Sequence, residues 1–171
     1  MAAFEYRQAQ EIRDTLQRYR VRYLFIGKSG AVLLGFPDTT QDADLFVDRA
    51  PANGRALATA LTELGFSLTS EQAQDIERGR DFVQLKNGPF DLDLIFAPDG
   101  IERFEDAWER RVDVEGFPVC HPDDIIASKV AARRSPGVPA PTDVAAPTWP
   151  WSSSSPPSRP WPGPGRRWHR P

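Results

Sequence analysis

Residues 21–47, VRYLFIGKSGAVLLGFPDTTQDADLFV, decide how this chain is read. A β-prone run, Val21 to Ile26, is broken by Gly27-Lys28-Ser29-Gly30, a turn that opens into a brief apolar helix, Ala31 to Leu34. Gly35-Phe36-Pro37 stops that helix, and a second strand, Asp42 to Asp48, follows. Asp42-Ala43-Asp44 stands at its start, about 15 residues after Gly27. Side chains alternate across a strand, so Asp42 and Asp44 share one face some ~7 Å apart while Ala43, Leu45 and Val47 turn to the other.

A third acidic strand, Phe90 to Phe96, repeats the pattern with Asp91 and Asp93 on a common face. Carboxylates gathered this closely repel one another and resist burial, and a hard divalent cation with oxygen ligands is the usual remedy. The expectation is a magnesium (or manganese) and nucleotide site. Gly27-Lys28-Ser29 also resembles the end of a Walker A loop, but that motif needs its first glycine at position 22, which is Arg22. Two histidines and one cysteine do not build a zinc site, and His121 reads as structural.

Working outward, residues 4–18 carry Phe4, Ala9, Ile12 and Leu16 at helical spacing, an amphipathic helix expected to pack on a sheet. Asn53 to Leu64 reads as a helix with Leu57, Leu61 and Leu64 inward, closed by Gly65. Phe82 to Lys86 and Phe90 to Phe96 form a hairpin through Asn87-Gly88-Pro89. Ile101 to Trp108 is a short helix, Arg111 to Val119 a strand or pair of half-strands. Asp123 to Arg133 is a helix with Ile125, Ile126 and Val130 inward, started by Pro122 and Asp123. Alternating elements plus a hairpin predict an α/β (α+β) domain, a mixed β-sheet flanked by helices, over residues 1–133.

Residues 134–171 differ in kind. The last 37 residues hold 11 of the 17 prolines and four of the five tryptophans, with a serine run from Ser152 to Ser155. Such a segment lacks the apolar periodicity of a core and is expected to be a disordered low-complexity tail. Its tryptophans suggest a stretch out of frame with the ancestral coding sequence; a Pro-rich linker that binds a partner is the alternative. Sixteen basic against twenty-three acidic residues give 1–133 a net charge of −7, and five against one give the tail +4. An acidic body argues against duplex DNA as a partner. Lone Cys120 fits a small buried hydrophobe in a reducing compartment. With no apolar run of spanning length and no signal-peptide stretch, the expected location is the cytoplasm, with no membrane partner.

Together, Phe25-Ile26-Gly27-Lys28-Ser29-Gly30, Gly35 to Leu45 and Asp93-Leu94-Ile95 resemble the minimal nucleotidyltransferases of the polymerase-β-like superfamily, over about residues 20–133. The small bacterial members grouped with abortive-infection toxins and toxin–antitoxin pairs are particularly similar. The resemblance implies a nucleotidyltransferase-like core that moves a nucleoside monophosphate from an NTP, ATP among the candidates, onto a hydroxyl with release of pyrophosphate. It implies Asp42, Asp44 and Asp93 as metal ligands and catalytic residues, Asp93 also accepting the proton of the acceptor hydroxyl. Asp93 is preferred to Asp91 because two apolar residues follow it. Gly27, Lys28, Ser29, Gly30 and Lys129 would bind nucleotide, the glycines admitting phosphate close to the backbone. Lys28 stands where a second glycine is common in the family, and Asp38 where an arginine often stands. The implied acceptor is a protein or RNA, within a toxin–antitoxin or phage-defence setting. The alternative is a catalytically inactive interaction module of the same fold.

Overall fold

The computed structural model describes residues 5–86 and 88–134. The first helix, α1 (Tyr6–Arg18), buries Ala9, Ile12 and Leu16 along one stripe, as their spacing requires. Strand β1 (Tyr23–Phe25) leads into α2 (Gly27–Leu33), then β2 (Asp42–Val47). Helices α3 (Pro51–Glu63) and α4 (Ser70–Arg78) precede the hairpin β3 (Phe82–Leu85) and β4 (Asp91–Ile95). Helix α5 (Phe104–Arg110), a second hairpin β5 (Val112–Val114) and β6 (Phe117–Val119), and α6 (Pro122–Arg134) complete the described chain.

The six strands form one mixed sheet in the order β3-β4-β2-β1-β6-β5. Strand β2 is antiparallel to β1 and parallel to β4, and β1 is parallel to β6. Both margins are the outer strands of hairpins. A parallel pair cannot be closed by a tight turn. The β2-to-β4 connection accordingly runs through α3, α4 and β3. The sheet interior explains the topology: Leu24, Phe25, Ala43, Leu45, Leu92, Leu94 and Val119 are fully buried. Burying one such large apolar side chain is worth about 1.5–3 kcal/mol, so register slips that expose alternate residues are strongly disfavoured.

The expected α/β class and mixed sheet are what the chain adopts. Several details differ. Helix α2 starts at Gly27 rather than after Gly30, because the Gly30 N–H already donates to the Ile26 carbonyl at 3.1 Å and so closes the first turn over the glycine stretch. Helix α5 starts at Phe104 instead of Ile101, with Ile101 buried ahead of it. On α6, Ile125 is buried as expected but Val130 is 41% exposed. Ile125 and Lys129 share a helical stripe at i,i+4, and Val130 lies about 100° round from Lys129.

Helix α4 has no counterpart in the sequence reading. It is capped by Thr69, whose Oγ1 accepts the Gln72 N–H at 3.1 Å while Gln72 Oε1 accepts the Thr69 N–H at 2.9 Å. It crosses α3 at Gly54, where an added Cβ would stand 2.5 Å from the Ile76 carbonyl oxygen. The expected tail begins at residue 134, but Arg134 closes α6; Phe4, Asn87 and residues 135–171, with the expected disorder and the question of reading frame, lie outside the described residues.

Candidate functional site

The site is built on the register of β2 and β4. Asp42 pairs with Asp91 and Asp44 with Asp93 across the parallel ladder, so four carboxylates occupy one face in two rows. Alternation does the rest: Ala43, Leu45, Leu92 and Leu94 face the other way and are buried, while all four aspartates are half-buried. Neighbouring strands lie about 4.8 Å apart, so each row places two acids side by side.

Burial is the main cause that pushes Asp44 up, to about 7 from its ordinary 3.8. The neighbouring charges of Asp93 and Asp42 add to it, while the Ser29 backbone and the positive charge of Lys129 act in the opposite direction. Asp93 is also raised, first by burial, then by Asp42 and Asp91, against the Gln84 side chain and Lys86. Its Oδ1 is buried and has no hydrogen-bond partner.

Gly27 forms the opposite wall. Its φ of +62° is left-handed, and a Cβ added there would stand 2.9 Å from Asp44 Oδ2 and 3.1 Å from its Cγ. Only the missing side chain lets the turn approach the carboxylate this closely. Gly30 packs on the Phe25 carbonyl and near Ile125 of α6. Lys129, on the same stripe of α6 as Ile125, is close enough for its charge to act on Asp44. Helix α6 is anchored by Arg110, which grips the buried Asp124 with two hydrogen bonds of 3.1 and 2.9 Å.

Three expected nucleotide-binding residues are not presented to a phosphate: Gly30, buried with its N–H bonded to the Ile26 carbonyl, Ser29 and Lys28. Ser29 is fully buried and its hydroxyl is engaged with backbone groups of Asp44 and Ile26. Its Oγ therefore faces the protein interior rather than an incoming phosphate. Lys28 is exposed and its Nζ lies 3.5 Å from Asp38, so the two form one surface ion pair. Gln84 and Lys86, which carry no motif of their own, stand on the acid face beside Asp93, where alternation along 82–86 puts them. Cys120 is fully buried and free, and His121 Nδ1 accepts the Asp123 N–H at 3.1 Å at the start of α6, both structural placements.

An all-carboxylate set with one orphaned, buried oxygen suits a hard, oxygen-seeking cation. Among the described residues, however, no three His, Cys, Asp or Glu side chains are gathered around a common point. Beyond the carboxylates on β2, Phe46 lines a cavity of 290 Å³ with Phe96, Ile101 and Phe104, rimmed by charged residues from Asp48 to Glu105. Comparison with family models, with curated proteins and with solved structures found no match.

Proposed function

We propose that this chain is a metal-dependent nucleotidyltransferase, moving a nucleoside monophosphate from an NTP to a hydroxyl with release of pyrophosphate. The observation that carries this reading is the in-register pairing of Asp42-x-Asp44 with Asp91-x-Asp93, opposed by a left-handed glycine that touches Asp44. Asp42, Asp44 and Asp93 would hold Mg2+ or Mn2+, which when bound neutralises charge that develops on the attacking and leaving oxygens. The acceptor oxygen forms a bond to the α-phosphorus as the bond to pyrophosphate breaks. Asp93, whose affinity for a proton is raised by burial, takes the hydroxyl proton. Lys129 supplies positive charge on the side of Asp44. Gly27 keeps the start of α2 free of side-chain bulk beside Asp44, while Gly30 lets that turn pack on the Phe25 carbonyl and Ile125.

The preferred acceptor is a protein or RNA hydroxyl in a toxin–antitoxin or phage-defence setting, carried by the family resemblance alone. A second reading, an inactive interaction module of the same fold, is favoured by one observation: the carboxylates are not gathered into a three-ligand set. Incubation with each of four α-labelled NTPs and Mg2+ or Mn2+ separates the two. Label transfer that disappears in Asp44→Ala supports the enzyme. Folded protein that transfers none of the four nucleotides with either cation supports the module.

A further inference from the structure

We propose that Ser29 is the positioning residue for Asp44, splicing the end of the β1–β2 ladder into helix α2 at the acid itself. The consequence for catalysis rests on the function proposed above; the splice does not.

The β1–β2 register places Ile26 opposite Asp44, one step beyond the Phe25–Leu45 pair. One of the two expected ladder bonds is made, with the Ile26 N–H donating to the Asp44 carbonyl at 3.0 Å. The reciprocal bond, from the Asp44 N–H to the Ile26 carbonyl, is replaced by a relay. The Asp44 N–H donates to Ser29 Oγ at 2.9 Å, and Ser29 Oγ donates its proton to the Ile26 carbonyl at 3.1 Å or to the Asp44 carbonyl at 3.3 Å. The cause is visible in the helix. The Ile26 carbonyl is turned to accept the Gly30 N–H at 3.1 Å, the first bond of α2, and so leaves the ladder.

Without a hydroxyl at position 29, the Asp44 N–H would lose its acceptor on this side in a dry interior. A serine bonding a carbonyl three residues back is common in helices. A serine that also captures the N–H of a facing strand residue is a cross-element tie. It fixes the backbone of Asp44 and hence the origin of its carboxylate, which packs on Gly27 two residues before Ser29. The fully buried hydroxyl is on this account a holder of the acid rather than a phosphate donor.

The test compares full-length protein with Ser29→Ala and with Ser29→Cys, which keeps a hydrogen-bearing polar atom of somewhat larger size but is a weaker acceptor. Residue-resolved amide exchange reads the splice. Binding of Mn2+ alone and the rate of label transfer read its consequence. In Ser29→Ala the Asp44 amide is expected to exchange about tenfold faster than the change in global stability accounts for, as befits one lost hydrogen bond. The Leu94 amide is expected to follow global stability only. Mn2+ affinity and kcat are expected to fall about tenfold, with KM for the NTP within twofold. If Ser29→Ala does not fold, Ser29→Cys carries the same comparison with smaller shifts. An Asp44 exchange rate equal to the parent's overturns the proposal whatever the activity. Faster exchange with parental Mn2+ affinity and kcat overturns the positioning role. A parent that neither binds Mn2+ nor transfers label sinks the nucleotidyltransferase reading instead, and exchange at Asp44 alone then decides the splice.

Discussion

Replacing Asp44 with asparagine is expected to stabilise the cation-free protein above neutral pH, against the usual rule that buried-site substitutions destabilise. The folded protein raises the Asp44 carboxyl from 3.8 to about 7, with burial the main cause and Asp93 next. A carboxyl raised on folding binds its proton more tightly in the native state. The stability it contributes is complete below pH 3.8 and is lost as pH rises to about 7. At about 1.36 kcal/mol per unit, the loss at pH 8 is roughly 4 kcal/mol. Asparagine does not ionise and escapes it, less about 1 kcal/mol for imperfect hydrogen bonding of the amide. Urea denaturation in chelator should therefore show Asp44→Asn more stable than the parent by roughly 3 kcal/mol at pH 8, with the gap closing towards pH 4. Mg2+ should then raise the parent's midpoint at pH 8 and leave the variant's unchanged. A variant less stable than the parent at pH 8, at equal m-values, would refute the claim that this carboxylate is held under electrostatic strain.

Two further perturbations test the surroundings of the site and the fold. Gly27→Ala should lose about 1–2 kcal/mol from the left-handed backbone alone, and the new Cβ should displace the Asp44 carboxylate. In an Asp44→Ala background, which lacks the two closest atoms, the cost of Gly27→Ala in thermal-melt stability should be smaller by about 0.5 kcal/mol or more; an equal cost speaks against the contact. Thr69→Ala should cost about 1 kcal/mol through loss of the α4 cap, read as a lower urea midpoint with unchanged m.

How much was legible from residues alone follows from which contacts are local. Strand alternation suffices to put Asp42 with Asp44 and Asp91 with Asp93, and the Asn87-Gly88-Pro89 turn suffices for the β3–β4 hairpin. The parallel registration of β2 on β4 is different. It depends on α3 and α4 spanning the crossover, and no property of either strand states it. Helix α4 carries no apolar period to read, because only Ile76 of its nine residues is buried. Its signature was nevertheless present in Thr69-Ser70-Glu71-Gln72, a capping box, with Gly79 closing the other end. The role of Ser29 was hidden for a related reason. A hydroxyl near a glycine turn suggests a phosphate, and only the ladder's failure at Ile26 reveals a backbone group awaiting it. The proximity of Lys28 and Asp38 is not legible in the sequence, because it depends on how the loop after α2 folds back.

The margins of the sheet carry a consequence for how this molecule behaves in a crowded solution. Strand β3 offers four residues and β5 only three, so each rim presents too few free N–H and C=O groups to template a neighbouring chain. The acidic rows lie inward of those rims, on β2 and β4, where no foreign strand can pair with them. Phe82, half exposed at one rim on the same face as Gln84, is the place on the sheet where unwanted self-association would begin, and a charged residue there should raise solubility.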